Sequence, residues 1–279
     1  MPTIHFINFI KQIMLLLKAT FSGDNNKGLC WICGSHANSR EHIIKKSDLI
    51  RAYGRGPYKG ENGLLHFRGG DLVNIVKGPN ANCLKYDQSI CHHCNTTFTQ
   101  PFDKAYDLFV NWVMENENYV LKRRFINFTE VYGDNFEESQ RNLFKYFAKS
   151  FGCRIASSGY PVPTDVRILM HLTYFRTNLS ITFSVNEDTI LLMPSSDKDG
   201  FIGKGDLNVI VNKYKPDQVK GYYWSEHVSW FTIFYWYKRW PDGNLGSPWI
   251  ANSQHIYLGS YKPLPPEMRE DIMAKQKHL

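Results

Sequence analysis

The 279-residue sequence lacks long hydrophobic runs, internal repeats and low-complexity tracts, which excludes solenoid architectures. One apolar stretch, from Ile4 to Leu17, is too short to span a bilayer and is interrupted by polar residues. It also lacks the cationic start and the small-residue cleavage site of a secretory signal. We therefore expect no membrane insertion and a cytoplasmic location, with an apolar N-terminal helix and a linker over residues 1–27.

The overall composition is that of a globular protein with a basic bias. Hydrophobic residues make up 43% of the chain, and 33 Lys and Arg outnumber 26 Asp and Glu. Most of the excess lies in residues 1–110, which hold 13 basic and 8 acidic residues. Such a bias favours an anionic partner, most often nucleic acid.

The few cysteines are arranged in a way that indicates a metal site. Four of the six form two Cys-x-x-Cys pairs, Cys30/Cys33 and Cys91/Cys94. Two such pairs supply the four thiolates of a closed, tetrahedral zinc site, and this chain is more typical of a reducing compartment than of a disulfide framework. About sixty residues separate the pairs, so we expect a functional element between them.

Three residues near the cysteines suggest hard-metal catalysis. Glu41 and His42 follow the first pair, and Asn95 directly follows the second. Glu41 and Asn95 offer oxygen ligands of the kind that Mg²⁺ or Mn²⁺ prefers. His42 would then serve as a base, because an unperturbed imidazole is partly neutral near pH 7.

These segments together resemble the HNH (ββα-metal) endonucleases that carry a four-cysteine zinc. In that family a Cys-x-x-Cys precedes a strand with an acidic-His-Ile element, and a later Cys-x-x-Cys-Asn opens a helix. The resemblance covers roughly residues 28–112. The matching segments are Cys30-Trp31-Ile32-Cys33, Glu41-His42-Ile43-Ile44 and Cys91-His92-His93-Cys94-Asn95.

The resemblance implies a metal-dependent endonuclease that hydrolyses DNA phosphodiester bonds. It implies that His42 is the general base, that Glu41 and Asn95 hold the catalytic Mg²⁺ or Mn²⁺, and that the four cysteines hold a structural Zn²⁺. Members of the family act in restriction, homing and phage defence, so protein partners of such a system are a further expectation.

Basic residues around these motifs are candidates for phosphate contacts. The insertion from Ser47 to Cys83 is rich in glycine and carries further cations, among them Arg55, Lys59 and Lys77. It is equally well interpreted as an ordinary solvated loop. The predicted DNA contacts are Arg40, Lys45, Lys46, Arg51 and Lys85.

The expected fold is α+β, with a zinc-stapled ββα-metal module at residues 28–125 and an α+β domain of unknown role at 126–279. Periodicity predicts a helix that is capped by Asp103 and runs to about Glu115. Bulky residues on both faces of Trp230–Tyr237 favour a buried central strand over a base-stacking platform. Further helices are predicted at 137–151 and 165–172, and strands of an antiparallel sheet at 180–185, 189–194, 206–212, 219–223, 227–237 and 255–258.

Two other functions remain open. The first is a non-catalytic zinc module that binds DNA or RNA, in which Glu41 and His42 only satisfy local hydrogen bonds. The second is an interaction subunit of a larger defence complex, in which the apolar N-terminal segment and the aromatic sheet make contacts. Metal-dependent nicking of DNA would distinguish an enzyme from both.

Overall fold

The computed structural model describes residues 28–60, 63–68, 71–192 and 201–276. The predicted N-terminal helix lies outside the described residues. The described chain is a mixture of helices and sheets, as expected. None of its helices combines the length and the apolar character that crossing a bilayer requires. The helices are α1 Lys46–Tyr53, α2 Gln100–Glu115, α3 Glu117–Arg123, α4 Phe128–Tyr132, α5 Phe136–Ser157, α6 Thr164–Leu169, α7 Glu187–Leu192 and α8 Pro266–Gln276.

The chain divides into two compact units, each built from three separate segments. The first unit contains residues 28–43, 85–109 and 138–178, and the second contains 44–84, 110–137 and the described part of 179–276. All described strands belong to the second unit. They are β1 Leu64–Arg68, β2 Asp71–Val76, β3 Phe125–Asn127, β4 Leu179–Asn186, β5 Ile202–Lys204, β6 Asn208–Asn212, β7 Lys215–Val228, β8 Phe231–Tyr237 and β9 His255–Tyr261.

The core of the first unit is formed by aromatic residues on α5 and on the first turns of α2. Phe144, Phe147 and Phe151 are fully buried on α5, and the ring of Tyr106 on α2 stacks on Tyr146 at 3.9 Å between centroids. The predicted helix at 137–151 is therefore confirmed, and it continues to Ser157. The helix predicted at 165–172 is the shorter α6.

The predicted cap of α2 is wrong. The helix begins at Gln100, so Asp103 lies within its first turn instead of before it. An acidic side chain is favourable in a first turn, because it faces the positive end of the helix dipole. Asp103 also contacts Lys149 on α5, and periodicity could not show this second role.

The large sheet of the second unit places β8 at its centre. The strand order is β3-β9-β4-β8-β7-β5, with β6 also paired to β7. All seven residues of β8 are buried, which confirms the prediction of a central strand covered on both faces. The stacked rings of Trp224 and Tyr235, 4.4 Å apart, show cross-strand packing of the kind that stabilises sheets.

Three predictions for this sheet are wrong. The strand predicted at 227–237 is divided between two strands, because His227 and Val228 end β7 and a turn at Ser229 and Trp230 leads into β8. The segment predicted as a strand at 189–194 contains the C-terminal half of α7, because the Asn186 side chain accepts hydrogen bonds from the backbone N–H groups of Asp188 and Thr189 and caps a helix there. The sheet is also not wholly antiparallel, since β4 and β9 pair in parallel.

A small hairpin and helix form a separate part of the second unit. Strands β1 and β2 pair antiparallel with an irregularity between His66 and Phe67. The hairpin and α1 share an apolar core, and α1 was not predicted from the glycine-rich sequence around it. The buried residues of that core are Leu49, Tyr58, Val76 and Leu84.

Candidate metal centre and adjoining polar site

The two Cys-x-x-Cys pairs form two tight turns in the first unit. In the first turn the Gly34 N–H donates to the Cys30 carbonyl at 2.8 Å, and Gly34 adopts a positive φ of 79° that favours glycine. In the second turn the Asn95 N–H donates to the Cys91 carbonyl at 2.9 Å. Each turn therefore directs both of its thiols to the same side.

The four sulfur atoms converge on one point. All lie within 4.8 Å of one another, and the Sγ atoms of Cys33 and Cys91 are 3.7 Å apart. Tetrahedral coordination at a Zn–S distance of about 2.3 Å would separate sulfurs by about 3.8 Å. Three of the cysteines are buried and Cys33 is exposed. The predicted four-cysteine metal site is confirmed as a cluster that can hold a metal ion and is compatible with structural zinc.

The electrostatics of the cluster also fit a cation. The thiol of Cys94 donates to Cys30 and lowers the pKa of Cys30 to about 5, while the same contact raises the pKa of Cys94. Burial raises the pKa of Cys91. Several thiolates at this spacing repel one another, so a bound divalent ion would provide the compensating charge.

The first cysteine turn packs on helix α5 through Trp31. Its indole lies directly over Gly152, where an added Cβ would be 2.4 Å from Cζ2. The indole N–H donates to the sulfur of Cys153 at 3.3 Å, and burial raises the pKa of that thiol to about 12. Cys153 is therefore a buried neutral acceptor, and Gly152 is the residue that allows the turn to approach the helix.

Residues 39–42 run antiparallel to residues 85–90 between the two cysteine pairs. Isolated bridges join Ser39 to Ile90 and His42 to Lys85, and the Tyr86 N–H donates to the Glu41 carbonyl at 2.9 Å. A helical turn containing Cys94 and Asn95 follows directly. The local order is thus two paired extended segments and then a helix.

Asn95 is held against the extended segment by its amide nitrogen. Nδ2 donates to Ser39 Oγ at 3.0 Å and to the Arg40 carbonyl at 3.4 Å. Its Oδ1 atom is buried and has no hydrogen-bond partner among the described residues. A buried acceptor without a donor is costly, so this oxygen is suited to a ligand such as a cation or a water molecule.

Glu41 belongs to a buried charge cluster. Its Oε2 lies 3.4 Å from Nζ of Lys149 on α5, and the same ammonium donates to both carboxylate oxygens of Asp103 at 3.0 Å. Lys149 is only 1% exposed. Burial alone would lower the pKa of Lys149, but the Glu41 and Asp103 carboxylates together raise it above its ordinary value. One ammonium between two carboxylates leaves a net negative charge here.

Neither Lys149 nor the role of Asp103 was predicted from the sequence. The only available signal was a lysine in the middle of a helix whose neighbouring residues are mostly apolar. In the sequence, Asp103 has the position of an ordinary acidic residue in the first turn of a helix. Their contact joins residues 46 positions apart, which no local pattern reveals.

The predicted site residues divide between the two units. Glu41, His42, Asn95, Arg40 and Lys85 belong to the first unit, together with the four cysteines. His42 is half-buried, and its Nε2 atom is shielded from solvent. The role of His42 as a base stays a prediction.

The predicted DNA contacts differ in how their charges are used. The Arg40 guanidinium donates to the carbonyls of Tyr86 at 2.8 Å and Lys85 at 3.1 Å, so it clamps the paired segment. In the second unit, Arg51 donates to Asp48 and Asn111. Lys45 and Lys85 are half-buried and Lys46 is exposed.

In comparisons with protein-family models, curated proteins and solved structures, nothing matches this chain. The functional conclusion therefore depends on the chemistry and geometry of the site. That site consists of a four-sulfur cluster, a paired extended segment that carries Glu41 and His42, and a buried amide oxygen on Asn95.

Proposed function

We propose that the chain is a metal-dependent endonuclease of the HNH (ββα-metal) class that hydrolyses DNA phosphodiester bonds. One observation carries the proposal. The buried, unpartnered Oδ1 of Asn95 belongs to a side chain that is anchored to the segment carrying Glu41 and follows the four-sulfur cluster directly in sequence. The order of two paired segments and a helix supports the same class.

The residues fit the two metals that this class uses. The four thiols suit Zn²⁺, which would hold the helical turn of Asn95 to the first cysteine turn. Glu41 and Asn95 offer hard oxygen ligands for Mg²⁺ or Mn²⁺. The cluster of Glu41, Asp103 and Lys149 has a net negative charge, which favours a cation nearby.

His42 supplies the base in this mechanism. Its neutral imidazole takes a proton from a water molecule, which then attacks phosphorus in line with the leaving 3′ oxygen. A bound divalent ion would neutralise charge on the phosphoryl oxygens and stabilise the leaving group. Lys149 holds the Glu41 carboxylate, and the amide hydrogen bonds of Asn95 hold its oxygen, which limits reorganisation during the reaction.

The test is a divalent-metal screen for cleavage of supercoiled, linear and single-stranded DNA. We expect cleavage with Mg²⁺ or Mn²⁺ that EDTA abolishes. His42→Ala should lower the rate by about a hundred- to ten-thousand-fold, the usual cost of losing a general base. The matched control is His255→Ala, since His255 lies on β9 in the second unit. Equal rates for the two variants would refute the role of His42.

A second function is favoured by one specific contact. Because Glu41 is already paired with Lys149, it could serve structure alone, in a zinc module that binds DNA or RNA without cutting it. Binding without cleavage under every metal in the screen would support this alternative. A role in restriction or phage defence and protein partners of such a system stay predictions from the family resemblance. A cytoplasmic location stays a prediction from the sequence.

A further inference from the structure

A basic pocket lies in the second unit, away in sequence from the cysteine turns. It has a volume of about 440 Å³ and is lined by α1 through Lys46 and Ile50, by Arg55, by Lys77 and by the turn at residues 78–81. This volume is within the range of about 300–1,000 Å³ that is typical of ligand sites. The pocket is therefore large enough for a phosphate with its attached sugar.

The pocket carries a cluster of positive charge. Lys46, Arg55 and Lys77 line it, and among the described residues no acidic side chain does. Within the described part of the chain, none of these three side chains forms an ion pair or a hydrogen bond. Arg51, on the same helix as Lys46, is instead neutralised by Asp48. Three cations around one concavity indicate an anionic ligand.

The walls of the pocket are joined by one buried core, so its shape is set before any ligand binds. The Tyr58 hydroxyl donates to the Gly54 carbonyl at 2.8 Å, and the Tyr58 N–H donates to the Lys77 carbonyl at 3.2 Å. The Ala81 N–H closes the last turn on the Gly78 carbonyl at 3.0 Å. Leu49 and Val76, next to pocket residues in sequence, are buried in the same core.

We propose that this pocket binds one backbone phosphate of the DNA substrate. The inference rests on the proposed nuclease function, which makes DNA the polyanion. Lys46, Arg55 and Lys77 are all exposed, so a continuous strand can pass across the rim. A phosphate contact of this kind positions the duplex without reading its sequence.

The structure separates pocket cations from other cations of the same insertion. Lys59 has the same charge and lies only four residues after Arg55, but it does not line the pocket. In the sequence, Arg55 and Lys59 are both cations of one basic segment. The pocket therefore predicts that Arg55 contributes more to DNA binding than Lys59 does, which net charge does not predict.

The experiment measures binding of a DNA duplex by the full-length His42→Ala protein at several salt concentrations. The pocket variant is K46A/R55A/K77A, and the matched control is K59A/K104A/K122A, which removes the same charge from exposed positions. We expect the pocket variant to bind at least about tenfold more weakly, and the slope of log K against log salt to fall by about one, for one lost phosphate contact. The control should change affinity by less than about threefold.

Three further readouts make the test decisive. K46R/R55K/K77R should keep the wild-type salt slope, and circular dichroism should show that every variant is folded. If the pocket and control variants lose the same DNA affinity, or if neither loses any, the proposal that the pocket binds a DNA phosphate is wrong. If wild-type protein cuts no DNA but binding still depends on the pocket, the nuclease proposal fails and the pocket stands. If the wild-type protein cuts DNA, and the same three substitutions in a protein that keeps His42 leave both binding and cutting unchanged, the pocket proposal alone fails.

Discussion

Replacing Lys149 with methionine should destabilise the protein strongly, because the ammonium of Lys149 lies between two carboxylates inside the first unit. Methionine keeps the length and the apolar stem of lysine but removes the ammonium. The carboxylates of Glu41 and Asp103 would then share this site without a counter-charge. Such a change leaves uncompensated charge in a region of low dielectric.

The magnitude follows from the distances. At an effective dielectric of about 20, unit charges separated by 3.0 or 3.4 Å attract by about 5 kcal/mol per pair. Desolvation of Lys149, which is 1% exposed, offsets much of this attraction. Removing one member of a buried pair costs about 3–5 kcal/mol, and we expect Lys149→Met to fall in that range. The corresponding decrease in Tm is roughly 10 °C.

The matched control is Lys145→Met, one turn earlier on α5. Lys145 is also buried, but its ammonium lies over the Phe102 ring at 5.3 Å and has no ion-pair partner among the described residues. Burial lowers the pKa of Lys145 to about 8, with Arg141 adding to the effect. Since the charged form is disfavoured there, its removal should cost less than about 1 kcal/mol.

Urea denaturation followed by tryptophan fluorescence measures both variants at pH 7. If Lys149→Met and Lys145→Met lose the same free energy of unfolding, the carboxylates do not stabilise the ammonium and the reasoning is wrong. A second arm adds Asp103→Asn to Lys149→Met. Because this double variant removes one of the two facing carboxylates, it should recover a substantial part of the loss.

Three other outcomes are expected. Cys91→Ser should lose bound zinc, measured by atomic emission, and melt at a lower temperature, because structural zinc contributes to folding directly. A zinc-free variant with an unchanged Tm would contradict the proposal that the cluster holds a structural zinc. Gly152→Ala should cost about 1–3 kcal/mol through the clash with Trp31, while Gly243→Ala, whose Cβ meets nothing within 4 Å, should cost less than half as much. Burial lowers the pKa of His227 in the folded protein to about 4. As the pH falls below about 6.5, the His227 imidazole therefore takes up a proton in the unfolded chain but not in the folded one, and the free energy of unfolding should decrease by roughly 3 kcal/mol by pH 4. His227→Gln should show a shallower decrease in the same urea titrations, and an unchanged slope would count against the buried neutral imidazole.

The features predicted correctly from the sequence are those with a local signal. Two thiols separated by two residues can bind one ion only in a tight turn, so the pairing of Cys30 with Cys33 and of Cys91 with Cys94 follows from their spacing. The prediction of β8 is equally local, since six of its seven residues are bulky and apolar or aromatic and leave no polar face for solvent. In each case the residues that determine the local structure lie close together in the sequence.

The features that were missed depend on distant contacts or on competing local signals. Lys149 meets Glu41 only after α5 has packed in the first unit, and the parallel pairing of β4 with β9 joins segments about seventy residues apart. At 189–194 the apolar residues indicated a strand, but the Asn186 cap and the acids that follow it favoured a helix. A capping residue can therefore override the apolar pattern that follows it.

The interleaving of the two units has a consequence for how the chain is made. The last cysteine of the cluster is synthesised at position 94, but α5, which carries Gly152 under Trp31 and Lys149 beside Glu41, leaves the ribosome only after residue 157. A nascent chain can thus contain all four cysteines of the cluster before the helix that packs on the first cysteine turn has been synthesised. For the same reason, a fragment of residues 28–125 would retain every cysteine of the cluster yet expose the Trp31 indole and leave the Glu41 carboxylate without its ammonium. Expression of the first unit requires the intervening residues of the second.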